Sequence, residues 1–224
     1  MNCKKEQKKT KKKPNKCYFL YDFVKITGAI PVLFWLRPRV IVYGKQNPKK
    51  IKGGVLISSN HVSFTDPVLI HCVFWRRRLH CLATKDLYRN KLLTFFFNHM
   101  HCIQVDKENF SMNSLHEVCD DLKRDKAVLI FPEGQVNRSG SEMLSLKSGV
   151  VLMAYRAKKP ILPTYIVTPE KPHHRRTVLV GDPIHVHELV GKMPSMEDFE
   201  RVSAYLREKE LELRNHYYEK ENKQ

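Results

Sequence analysis

Apolar positions along this chain fall into two kinds of run. Short aliphatic and β-branched runs occupy 39–44, 55–58, 79–83, 102–105, 127–131, 164–167 and 177–180. Their length and flanking turn residues read as buried strands. Between them, apolar residues recur three and four positions apart, which reads as helices. This predicts helices over 68–75, around 92–97, over 112–123 behind a Ser111 cap, over 146–156, and over 196–220. Asp66 before Pro67 predicts a helix N-cap with proline at the first helical position. Ser195 and Asp198 have the spacing of a capping box. Strands and helices alternate throughout, which predicts an α/β fold with a mostly parallel central sheet flanked by helices. In such sheets, functional loops leave the carboxyl ends of strands.

The start of the chain does not fit this alternation. Residues 1–16 hold eight lysines and one glutamate, and read as a basic disordered tail. Residues 17–38 are apolar apart from Asp22, Lys25 and the closing arginine. The uninterrupted part, 26–36, is about half of the ~20 residues a spanning helix needs. A basic region before an apolar one also suits a signal peptide, but no Ala-x-Ala-like site follows. The preferred reading is an amphipathic helix retained at a membrane interface, with Phe34 and Trp35 as anchors or, alternatively, as core. Residues 39–224 then form one domain.

Composition narrows the partners. The chain has 224 residues, is 42% hydrophobic, and carries 40 Lys+Arg against 23 Asp+Glu, a formal +17. It can bury a core, and it favours anionic partners. The charge gathers in the tail and no nucleic-acid reader motif is present, so an anionic membrane surface is expected as the partner and nucleic acid is not. The six cysteines lack metal-type spacing and a compact disulfide pattern, so reduced thiols and no metal are expected. Leu92, Leu93, Phe95, Phe96 and Phe97 read as core for the most part, or as the lining of an apolar channel.

Two loops carry candidate chemistry. His61 follows the 55–58 run and stands five positions before Asp66. A neutral imidazole oriented by a carboxylate is a suitable general base. Phe131-Pro132-Glu133-Gly134 follows the 127–131 run. Gly134 lets the backbone approach a ligand closely. Glu133 can meet a hydroxyl or position a basic neighbour, and Arg138 can grip a phosphate.

The order of these pieces resembles the glycerolipid acyltransferase family and its bacterial 1-acylglycerol-3-phosphate (lysophosphatidate) acyltransferases. The pieces are Asn60-His61 with Asp66, then Ile103-Gln104-Val105-Asp106-Lys107, then Phe131-Pro132-Glu133-Gly134, then Pro160-Ile161-Leu162-Pro163. The resemblance implies an acyltransferase domain over 39–224. It makes His61 the base and Asp66 its partner, with Glu133, Gly134, Lys85, Lys107 and Arg138 toward the acceptor's phosphate end. It implies a lysophospholipid acceptor and an acyl thioester donor, acyl-CoA or acyl-carrier protein, with no other cofactor. The cytoplasmic face of the cell membrane is the implied location, by peripheral or monotopic attachment. The chain departs from the pattern twice. Lys107 stands where an arginine is usual, and Gln135-Val136 replaces the usual Thr-Arg. These departures leave room for a different lysolipid acceptor, or for a non-catalytic basic membrane-binding protein.

Overall fold

All seven expected strands form, and they join one sheet in the order β1-β7-β6-β2-β5-β3-β4. The computed structural model describes residues 18–45, 47, 50–106, 111–137, 143–168 and 175–222. The basic tail, Lys107 and Arg138 lie outside the described residues. The strands are β1 (Arg39–Val42), β2 (Val55–Ser59), β3 (Leu79–Thr84), β4 (Ile103–Val105), β5 (Ala127–Ile130), β6 (Ile161–Val167) and β7 (Thr177–Val180). Every neighbouring pair is parallel except β6 with β7.

The helices are α1 (Phe19–Leu36), α2 (Asp66–Val73), α3 (Lys91–His99), α4 (Met112–Lys123), α5 (Gly149–Ala157), α6 (Val186–Leu189) and α7 (Met196–Glu221). The Ser111 cap accepts from Ser114 N, and the Ser195–Asp198 capping box is closed in both directions. The short α6 carries no periodic signal and was not expected.

The central strands β2 and β5 are buried along their whole length, with one core on each face of the sheet. Leu56, Val128 and Ile130 meet α4, α5 and α7 on one face. Ile57, Leu129 and Leu162 meet Leu69, Ile70 and Val73 of α2 on the other. Fully burying each such side chain contributes roughly 1.5–3 kcal/mol. Gly54 is fixed by this packing, because a Cβ there would stand 2.0 Å from the Leu122 carbonyl oxygen.

Three elements differ from the sequence reading. β6 begins at Ile161 and includes Pro163, which lacks an N–H but still accepts from Gly181 N at 3.0 Å. α5 begins at Gly149 because Lys147 N donates to Pro132 O at 3.1 Å, which draws 146–148 into the neighbouring loop. α3 contributes no buried residue, so its apolar side chains do not form core as expected.

The first helix is docked at its start and exposed at its end. Tyr21 is fully buried, its hydroxyl accepting from Leu79 N at 2.8 Å. Asp22 pairs with Arg78 at 2.6 Å, and Lys25 donates to Arg77 O at 3.0 Å. Tyr18 lies 3.2 Å from His80 Nε2, and His80 Nδ1 donates to Asp121 at 2.6 Å. Further along, Phe34 and Trp35 are each 78% exposed, so they are not core. No helix among the described residues is long and apolar enough to cross a membrane.

One buried group makes stability depend on pH. Glu210 of α7 is fully buried, and neither carboxyl oxygen has a hydrogen-bond partner among the described residues. Burial, opposed by the nearby Ser58 and reinforced by the Glu133 carboxylate, pushes its pKa up to about 8. The unfolded chain ionises this group near 4.5. A raised folded pKa gives a contribution that is complete below the unfolded value and is lost as pH rises through the folded one. We expect Glu210→Gln to raise Tm by roughly 5 °C at about pH 8.5, with the gap closing toward pH 5. Thermal unfolding followed by circular dichroism checks this, and a gap independent of pH contradicts it.

Candidate active site

The carboxyl ends of two adjacent central strands supply the site. β2 delivers the His61 loop and β5 delivers the Glu133 loop. Asn60 starts the first loop. Its amide is buried and mimics a strand, donating to Ile166 O at 3.0 Å and accepting from Ile166 N at 2.7 Å. This holds the end of β2 to β6, so His61 leaves from a rigid base.

Asp66 does not cap α2. Thr65 takes the N-cap position without a side-chain capping bond, and Asp66 is the first helical residue. The Asp66 carboxylate turns back into the loop, because stronger donors lie there. Oδ2 accepts from Val62 N at 2.7 Å, Ser63 N at 2.7 Å and His61 Nδ1 at 3.0 Å. Arg176 Nη2 stands 3.0 Å from Oδ1 as an ion pair, off the axis of a hydrogen bond. Arg176 Nη1 donates to Thr65 Oγ1 at 2.7 Å. A fully buried carboxylate needs such partners, since losing them leaves an uncompensated charge. With Nδ1 donating to Asp66, the lone pair of the imidazole resides on Nε2.

The Glu133 loop closes over this one at three places. Glu133 Oε1 accepts from His61 N and Oε2 from Leu144 N, each at 3.1 Å. Asn137 N donates to His61 O at 2.7 Å. The Phe131 ring stacks on the His61 ring, with centroids 4.1 Å apart and planes 18° apart. Burial raises the Glu133 pKa, opposed by the Leu144 and His61 N–H groups. Arg207 of α7 reaches the same loop, donating to Met143 O at 3.0 Å and Leu144 O at 3.2 Å. Both Glu133 oxygens therefore face backbone, and its observed role is to join the loops.

Basic groups line this edge. Gly134 has φ of 72°, and a Cβ on it would stand 3.2 Å from Lys147 Nζ. A side chain there would crowd both the backbone and the lysine. Lys85 begins a short 3-10 turn after β3 and pairs with Asp106, at the end of β4, over 2.8 Å. The structure thus joins His61, Asp66, Glu133 and Gly134 in one network, and holds Lys85 on the same edge beyond β5.

The family model described as Acyltransferase matches residues 39–167. The chain belongs to the acyltransferase family. A 1-acyl-sn-glycerol-3-phosphate acyltransferase of Bacillus subtilis is 28% identical over 201 residues, covering 88% of this chain and 98% of that protein. One from Borreliella burgdorferi is 25% identical over 194 residues, covering 84% of this chain and 76% of that protein. The fold resembles the crystal structure of the 1-acyl-sn-glycerophosphate acyltransferase PlsC from Thermotoga maritima, with TM-score 0.60 and 18% identity over 88% of this chain and 79% of that one. This chain is an acyltransferase, and the matched region spans β1 to β6, so it contains His61, Asp66, Glu133 and Gly134.

Sequence reasoning missed Asn60, Phe131, Lys147 and Arg176 as parts of the site. Asn60 and Phe131 lie inside the quoted motifs and were legible there as neighbours. Arg176 carries no local signal, because its partner is 110 residues away and the antiparallel β7 brings it back.

The Glu133 bridge yields a prediction for this acyltransferase. Glu133→Gln leaves one accepting oxygen for two N–H groups. Leaving one unpaired costs about 1–3 kcal/mol. We expect a lower Tm and a fall in kcat of roughly 10-fold, since the His61 backbone loses its tether. Wild-type Tm and kcat together contradict a bridging role.

Proposed function

We propose that this acyltransferase moves a fatty acyl group from a thioester, acyl-CoA or acyl-carrier protein, to the free hydroxyl of lysophosphatidate, giving phosphatidate. The observation that carries this reading is the His61 Nδ1–Asp66 bond, which leaves Nε2 as a base on a loop rimmed by cations. The names of the Bacillus subtilis and Borreliella burgdorferi relatives support the acceptor.

In the first step the acceptor hydroxyl oxygen bonds to the thioester carbonyl carbon, and its proton passes to His61 Nε2. The carbonyl oxygen takes the negative charge. In the second step that charge reforms the carbonyl, the carbon–sulfur bond breaks, and the imidazolium returns the proton to the thiolate. Asp66 stabilises the imidazolium between the two steps. Arg176 offsets the second Asp66 oxygen and keeps the carboxylate in place. Transfer is direct, with no acyl-enzyme, and Ser63 and Thr65 act as loop residues, hydrogen-bonded to each other at 3.1 Å.

The acceptor phosphate is bound by Gly134, Lys85 and Lys147, together with Lys107 and Arg138. Glu133 positions the loop that carries Gly134. No metal or other cofactor takes part. The chain works peripherally at the cytoplasmic face of an anionic membrane, with α1 lying in the interface. Gln135-Val136 in place of Thr-Arg favours a second reading, in which the acceptor is a lysolipid with another head group.

The test is acyl transfer from oleoyl-CoA and from oleoyl-acyl-carrier protein to lysophosphatidate. We expect phosphatidate with at least one donor, and a loss of about 10²–10⁴-fold in kcat for His61→Ala. Absence of product with both donors sinks the lysophosphatidate assignment. Product on lysophosphatidylcholine or monoacylglycerol alone establishes the second reading.

A further inference from the structure

Helix α3 carries its apolar stripe on the outside. Leu92, Phe95, Phe96 and His99 are spaced three, four and seven apart, so they share one face. Leu92 is 76% exposed, Phe95 53% and Phe96 40%. The helix is nevertheless well made, with Asn90 capping it through Leu93 N at 2.8 Å. Its inner side is fixed by an aromatic contact between Phe97 and Tyr88, and by Thr94 donating to Tyr88 O at 3.4 Å. A helix covering a soluble domain normally turns this stripe inward.

The position of α3 gives the stripe a direction. It starts just after β3, at the sheet edge that holds the His61 loop. Right-handed crossovers from β2 to β3 and from β3 to β4 place α2 and α3 on the same face of the sheet. The start of α1 packs on this face too, with the Tyr21 ring 6.3 Å from that of His71 in α2. Phe64, within the His61 loop, is also exposed. Exposed Lys85, Arg89 and Lys91 border the first turn of α3.

We propose that α3 is a second membrane contact, whose Leu92, Phe95 and Phe96 side chains enter the apolar boundary of an anionic bilayer beside the active-site edge. Lysines and arginines around an apolar stripe match an anionic lipid surface. A second copy of this chain is a poor occupant, because it brings the same excess of positive charge to the contact. Docking here sets the His61 edge against the bilayer, so a lysolipid acceptor reaches the site without leaving the membrane. That last consequence rests on the proposed function, whereas the docking does not.

The test is co-sedimentation of the full chain with phosphatidylcholine vesicles containing phosphatidylglycerol. The double variant Leu92→Glu/Phe96→Glu changes exposed positions only, and its Tm and circular dichroism report the fold. We expect vesicle partition to weaken by at least ~10-fold. We expect acyl transfer to vesicle-embedded lysophosphatidate to fall with it, while transfer to a short-chain, water-soluble lysophosphatidate is kept. The conservative variant Phe96→Trp gives a readout that survives if the charged variant misfolds. Its emission should gain a component quenched by brominated lipid, beyond that of wild type.

Unchanged partition in the charged variant, or no added quenching in Phe96→Trp, overturns the proposal. A wild-type dimer that the charged variant converts to monomer, with partition intact, assigns the face to a second copy instead. Loss of transfer to the soluble acceptor with partition intact assigns it to an acyl channel. Failure of every lysolipid to accept an acyl group, with partition still governed by α3, sinks the proposed function and leaves this contact standing.

Discussion

A buried carboxylate organises this site. Asp66 is fully buried at the start of α2, and one of its oxygens collects two backbone N–H groups and the His61 ring nitrogen. An unpaired charge at that depth would destabilise the fold by several kcal/mol. The loop from His61 to Asp66 therefore adopts the one conformation that brings all three donors to one point. The same requirement that stabilises the loop orients the imidazole, so fold stability and the His61 ring geometry rest on one interaction. Arg176, from the start of β7, balances the charge from the other side.

The second loop is held from farther away. α7 crosses the sheet face and sends Arg207 to Met143 and Leu144. Leu144 N donates to Glu133, and Glu133 accepts from His61 N. Helix α7 thus reaches the His61 backbone through a chain of directed polar bonds. Each link has donor and acceptor fixed by backbone on at least one side, which keeps the loops from drifting. One helical turn after Arg207, Glu210 lies buried near Ser58, and neither carboxyl oxygen has a well-formed hydrogen bond among the described residues, which lowers stability.

The strands were legible because each is a short aliphatic run closed by turn residues, and burial on both faces leaves little else for such a run to do. Capping chemistry fixed the starts of α4 and α7, since Ser111 and Ser195 act on residues three positions away. His61, Asp66 and Glu133 stood out for their residue types at the ends of strands. Their partners did not, because Arg176 and Arg207 arrive through tertiary folding and leave no local pattern. The cap expected at Asp66 failed for a related reason: the local rule weighs only the helix, and the loop behind it offered better donors. The face of α3 was misread because periodicity shows that an apolar stripe exists, and says nothing of which way it turns.

The account's central claim is that His61 and Asp66 act as one unit. The most direct measurement is a double-mutant cycle on kcat with His61→Ala, Asp66→Asn and the double variant, using one donor and lysophosphatidate. If the carboxylate works through the imidazole, the double variant is no slower than His61→Ala alone, since nothing remains for Asp66 to orient. If the two losses multiply instead, Asp66 contributes independently of His61, and the unit described here does not exist.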